Sequence, residues 1–155
     1  MRRLNHGAAI VLWRWTSFTS DAPSRARIAL RCALEQLGCD PKVISDTVLA
    51  VSELVANAVE HGRGPYELRL RQANQRIICE VEDHDPCLPE IEHFAAASPY
   101  LPREEDRGGG LDALCSRVTE RGRGLQIVNV ITGGCWGFLP TSNATKSAWL
   151  MIPLE

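Results

Sequence analysis

The sequence predicts an α+β fold, a two-layer sandwich in which helices cover one face of a mixed, mostly antiparallel sheet. Three observations carry that expectation. From Pro41 to His61 apolar residues recur at three-and-four spacing, the period of an amphipathic helix. The segments 66–71 and 76–82 are rich in strand-forming residues and are separated by a short turn, so they read as a hairpin. Strand-like segments at 9–15, 135–139 and 147–152 stand apart from the helices instead of alternating with them, which favours α+β over a parallel α/β sheet.

The first strand is A-I-V-L-W-R-W at 9–15, dense in β-branched and aromatic residues. Ser20 or Asp21 is placed to cap a helix with Pro23 in its first turn; Ala26, Ala29, Ala33 and Leu37 repeat along it until Gly38 stops it. Asp40-Pro41 is a second cap, with proline at the first helical position. In the helix that follows, Ile44, Val48, Val51, Val55 and Ala58 form one apolar stripe, and Glu53 and Asn57 project nearly opposite it, one turn apart. Gly62 and Gly64-Pro65 end the helix, and the hairpin turn is expected near Ala73-Asn74.

From 84 to about 121 the composition shifts to proline, glycine and charge, a long insertion of the kind that is either functional or disordered, in a single domain spanning 1–155. A last helix is expected from about Leu125 to Ile131, ended by Gly133-Gly134, before the two closing strands.

A net charge of -2 argues against a domain that holds nucleic acid by neutralising phosphates, although Arg25, Arg27 and Arg31 form a local basic cluster. The six cysteines show no C-x-x-C spacing and read as free thiols. No apolar stretch reaches the roughly 20 residues of a membrane span, so a cytoplasmic location is expected.

Three segments carry chemistry. In E-L-V-A-N at 53–57 an amide oxygen suited to hard Mg²⁺ lies one turn from a carboxylate able to accept a proton. By itself E-x-x-x-N is equally a solvated helix face. In V-E-D-H-D-P at 81–86 a strand-end aspartate can accept from an exocyclic amine, though such acids are commonly turn residues. R-G-R-G-L-Q-I-V at 121–128 is a glycine loop entering a helix, where backbone N–H groups can approach phosphate; a flexible hinge is the plainer reading. It matches neither the P-loop nor the dinucleotide fingerprint.

Together and in this order, E-L-V-A-N-A-V-E-H-G, V-E-D-H-D-P and G-R-G-L-Q-I-V, with W-G at 136–137 and T-K-S-A-W at 145–149, resemble the GHKL superfamily of gyrase, chaperone, histidine-kinase and mismatch-repair ATPases. Within it the chain is most similar to anti-sigma-factor serine kinases of RsbW type over roughly 9–153. The resemblance implies a Bergerat-type ATP-binding fold, with residues 84–121 as the ATP lid. It implies ATP and Mg²⁺ as cofactors, Asn57 on the magnesium, Glu53 as catalytic base and Asp83 on the adenine amine. Gly122, Arg123, Gly124 and Leu125 would contact the nucleotide, the glycines cradling phosphate, and Ser147 would place a strand hydroxyl near Asp83. Two departures stand out: Asp85 replaces the glycine of D-x-G, and Gly108-Gly109-Gly110-Leu111 is a rival phosphate loop. His61 is read as a helix-end residue. The implied partners are a sigma factor and an anti-anti-sigma antagonist that is phosphorylated, with a homodimer left open. The alternative is a non-catalytic, ATP-dependent partner switch.

Overall fold

Apolar periodicity decides where each element lies in the computed structural model, which describes residues 8–88 and 120–154 except the side chains of 120–123. The described order is β1 (Ile10–Trp15), α1 (Ala22–Gln36), α2 (Pro41–His61), β2 (Tyr66–Ala73), β3 (Arg76–Asp83), α3 (Glu120–Thr132), β4 (Trp136–Pro140) and β5 (Lys146–Pro153). The expected insertion falls almost wholly outside the described residues, as does the glycine run at 108–110.

The five strands form one sheet in the order β1-β2-β3-β5-β4. Every described pairing is antiparallel, so the expected, mostly antiparallel sheet has no parallel pair among the described residues. The β2–β3 turn is Asn74-Gln75, one residue later than expected; both have positive φ, which suits the right-handed twist of a two-residue hairpin.

α2 lies where its stripe predicts, burying Ile44, Val48, Val51, Val55 and Ala58 along with Leu54 and Ala50. Each fully buried aliphatic side chain contributes about 1.5–3 kcal/mol relative to exposure. α1 turns a slightly different face inward: Ala22, Ala26, Leu30 and Leu34 are buried, while Ala29, Ala33 and Leu37 flank them. Asp21 begins this helix in the left-handed region and makes no side-chain cap hydrogen bond. Leu68 and Leu70 from β2, Ile77, Cys79 and Val81 from β3, and Ala148, Leu150 and Ile152 from β5 meet the helices in a single core.

The other face of the sheet is ionic. Arg69 Nη1 lies 2.8 Å from Glu67, Arg69 Nη2 3.0 Å from Glu82, and Arg69 Nε 3.3 Å from Glu80. Arg14 on β1 pairs with Glu67, and Arg71 with Glu80. On the edge pair β1–β2, Trp13 stacks on Trp15 with ring centres 4.7 Å apart and planes 14° from parallel, and Trp15 stacks on Tyr66 at 5.2 Å and 20°.

Candidate functional site

α2 organises the candidate residues. Glu53 and Asn57 are both half-buried, one turn apart on the same face. The helix is closed by Gly62, whose N–H donates to Ala58 O at 2.7 Å. From Asn57 to Gly62 the axis advances about 7.5 Å at 1.5 Å per residue, and Gly62 then meets the end of β3. A Cβ on Gly62 would stand 2.6 Å from Asp83 Cγ and 2.7 Å from Ala58 O, so only glycine lets the two elements approach this closely.

Glu53 faces α3 and α1. A Cβ on Gly124 would lie 2.7 Å from Glu53 Oε2, which makes Gly124 the point where α3 closes over the carboxylate. Burial pushes the Glu53 carboxyl above its ordinary range, and the positive charge of Arg27 on α1 partly opposes that. Arg27 also donates to Ser24 Oγ at 3.1 Å. The sequence flagged Arg27 only as part of a surface basic cluster; its place opposite Glu53 depends on how α1 packs on α2.

The glycine loop expected around Gly122 and Gly124 is helix instead: α3 begins at Glu120, five residues before the expected start. Glycine in a helix costs about 1 kcal/mol against alanine, and here the packing of Gly124 on Glu53 gives the position its reason. Gly122 and Arg123 thus lie in the first described turn of α3 and not in a preceding loop. Leu125, expected at the nucleotide, is 2% exposed and belongs to the core.

At the end of β3, Asp83 Oδ1 accepts from the Asp85 N–H at 2.8 Å, and Asp85 Oδ1 accepts from the Cys87 N–H at 3.0 Å, two successive aspartate turns. Asp85 is not among the residues of positive φ, so this turn does not require glycine at that position. His84 N–H donates to Arg63 O at 2.8 Å, and the His84 ring Nδ1 lies 2.7 Å from Pro65 O. Burial lifts the Asp83 carboxyl above its usual value, opposed by the Asp85 N–H and by Lys146.

Lys146 is the residue the sequence reading missed. It faces Asp83 directly across the β3–β5 ladder, whereas Ser147 is paired with Glu82. Because side chains alternate along a strand, Lys146 and not Ser147 reaches Asp83: its Nζ donates to Asp83 Oδ1 at 3.1 Å and to Asp85 O at 2.9 Å. Ser147 is buried, and its Oγ has no hydrogen-bond partner among the described residues. The signal was available, since Lys146 shares its parity with the inward-facing Ala148, Leu150 and Ile152.

His61 closes α2 as expected, about half exposed and 3.7 Å from Glu60. Among the described residues no group of three or more His, Cys, Asp or Glu side chains converges on a metal position. A cavity of about 320 Å³ lined by Cys39, Gln75 and Leu154 lies by the β2–β3 turn, at the opposite end of the sheet from Asp83.

Residues 17–135 match the family of histidine kinase-like ATPase domains. The chain belongs to that family. Among curated relatives, this histidine kinase-like ATPase domain is 31% identical over 101 residues to the signal transduction histidine-protein kinase AfsQ2 of Streptomyces coelicolor, covering 61% of the chain and 18% of the relative. It is also 31% identical over 102 residues to the sensor protein CseC of the same organism, covering 63% of the chain and 19% of the relative. The chain thus spans less than a fifth of the length of these relatives. In fold it is similar to the RsbU and RsbW domains of Rv1364c from Mycobacterium tuberculosis, with a TM-score of 0.58 at 20% identity, covering 95% of this chain and 32% of that one. A structure of the SiaB–SiaC complex from Pseudomonas aeruginosa gives a TM-score of 0.57 at 15% identity, covering 92% of this chain and 89% of that one. At these identities the likeness is one of fold. The histidine kinase-like ATPase family agrees with the α+β architecture and with ATP as the nucleotide.

Proposed function

We propose that this protein is a cytoplasmic, ATP-dependent regulatory kinase that sequesters a sigma factor and phosphorylates an antagonist protein on serine or threonine. The observation that carries the reading is the arrangement along α2: Glu53 against Gly124 of α3, Asn57 one turn on, and Gly62 against Asp83. Fold similarity to an RsbW domain and to a SiaB–SiaC structure supports partner switching as its setting. A homodimer is part of the same proposal.

The residues suit the chemistry. Asn57 offers a hard amide oxygen, and Mg²⁺ commonly takes only one or two protein oxygens beside water and phosphate. Held there, Mg²⁺ would supply charge neutralisation on the phosphates. Asp83 accepts from the adenine amine. Glu53, its carboxyl pushed above the usual carboxylate range by burial and so made a stronger base, takes the proton of the substrate hydroxyl. That oxygen bonds to the terminal phosphorus as the bridge to the β-phosphate breaks and ADP leaves.

A non-catalytic nucleotide switch is the second reading, favoured by one contact: Glu53 Oε2 is packed against Gly124, where a substrate hydroxyl has to reach it. Glu53→Gln separates the two. Under the kinase reading it retains ATP affinity by calorimetry and loses transfer of labelled terminal phosphate to the captured antagonist. Wild type that binds ATP and the antagonist without transfer decides for the switch, and absence of ATP binding removes both. Asn57→Ala is expected to keep the wild-type melting temperature and lose the magnesium dependence of ATP binding; a large drop in melting temperature with unchanged magnesium response would make Asn57 structural.

A further inference from the structure

A lysine with a 6% exposed side chain needs a reason, because burying an ammonium is costly unless partners replace its water. Lys146 has two such partners, and both lie in the turn that ends β3. Its Nζ donates to Asp83 Oδ1 at 3.1 Å and to Asp85 O at 2.9 Å. The Asp85 N–H donates to the same Oδ1 at 2.8 Å. A carboxylate oxygen has about two acceptor sites, so Oδ1 is fully engaged and the plane of the carboxylate is held from one side. Among the described residues Oδ2, the atom lying toward Gly62, accepts no hydrogen bond, which leaves it as the open acceptor.

We infer that Lys146 is the positioning residue for base recognition: by clamping Asp83 Oδ1 and Asp85 O together, it presents Asp83 Oδ2 as the single acceptor for an exocyclic amine. This rests on the nucleotide reading proposed above and adds to it the residue that sets its selectivity. It also accounts for Asp85 in place of glycine. The turn is held through its backbone carbonyl by the lysine and through its backbone N–H by Asp83, and Asp85 Oδ1 is occupied by the Cys87 N–H. Without the ammonium, Oδ1 keeps only the Asp85 N–H and regains an open acceptor site, so the amine no longer has a single acceptor to select.

The test compares binding of ATP with binding of purine riboside triphosphate, which has the same phosphates and lacks the amine. A hydrogen bond to a charged acceptor gives wild type a preference for ATP of about tenfold or more. In Lys146→Met that ratio falls to within about threefold of unity. Lys146→Gln keeps an N–H donor without the charge; it serves if the methionine variant does not fold, and its ratio is expected to fall at least threefold below wild type on the same scale. A purely structural lysine would weaken both nucleotides alike and leave the ratio unchanged. An unchanged ratio in folded Lys146→Gln or Lys146→Met overturns the inference while leaving the nucleotide site intact. Failure of wild type to bind either triphosphate overturns the reading beneath it.

Discussion

The two faces of the sheet use the same chemistry to opposite effect. On the outer face three arginines and three glutamates share contacts, Arg69 alone touching Glu67, Glu80 and Glu82. These side chains keep some access to water, 18% for Arg69 and 73% for Arg14. On the inner face one pair, Asp83 and Lys146, stands at the rim of the apolar core with side chains only 4% and 6% exposed. The outer network has redundant charged partners and solvent to fall back on; the inner pair has little solvent and, beyond each other, only the backbone of Asp85. The carboxyl shift marks the difference, because desolvation is the largest influence on Asp83 and raises it despite the neighbouring ammonium.

The sharpest way to break this comparison is to remove one inner partner. Lys146→Met is expected to cost about 3–5 kcal/mol in urea unfolding, since it leaves a buried carboxylate uncompensated. Asp83→Asn combined with Lys146→Met should recover most of that loss, and a double variant no better than the single one would show that the pair is not coupled. The pH profile sharpens the same point. With its folded-state pKa above the ordinary 3.8, Asp83 contributes stability that is present below that value and lost as pH rises through the folded pKa. Lys146→Met raises the folded value further, so melting temperature against pH should fall over a window reaching higher pH than in wild type, and the double variant should flatten it.

Next in size is Gly62→Ala. The new methyl meets the backbone oxygen of Ala58, which has little freedom to move, as well as Asp83 Cγ. A loss of about 1–3 kcal/mol is expected, and a neutral result would mean that α2 and β3 can separate without consequence. Smaller again is Arg69→Ala on the outer face, expected to cost about 1 kcal/mol and to lose much of that effect in high salt. Arg14→Ala, the most exposed member, should cost about 0.5 kcal/mol or less by the same melts. Outer-face losses as large as that of Lys146→Met would erase the distinction between the faces.

Much of this was legible in the sequence because periodicity reports burial. The α2 stripe, both hairpin strands and the closing strands follow from it, and the E-x-x-x-N pair follows from helical geometry. The glycines at 122 and 124 misled for a physical reason: glycine raises loop propensity locally, whereas a helix contact at Glu53 outweighs that cost, and no local signal reports the contact. Ser147 was misplaced by one residue, which on a strand means the opposite face. Lys146 was legible in principle. β3 reads Ile77, Cys79, Val81, Asp83 inward and β5 reads Lys146, Ala148, Leu150, Ile152 inward, so opposite charges end two facing apolar rows. Recognising them as partners needs the register, which only the pairing of β3 with β5 supplies.

The stacked rings of Trp13, Trp15 and Tyr66 give the molecule an optical signature. Indoles 4.7 Å apart and nearly parallel are close enough for their excited states to couple, and such coupling yields a paired positive and negative band in circular dichroism that depends on the angle between the transitions. Trp13 and Trp15 belong to β1, and Tyr66 opposite Trp15 opens β2. The Trp15–Tyr66 contact ties this band to the docking of the edge strand, and with Trp13 and Trp15 replaced by phenylalanine the fluorescence of Trp136 and Trp149 reads the other edge of the sheet. The two spectroscopic channels together would show whether the two edges come apart together or in sequence.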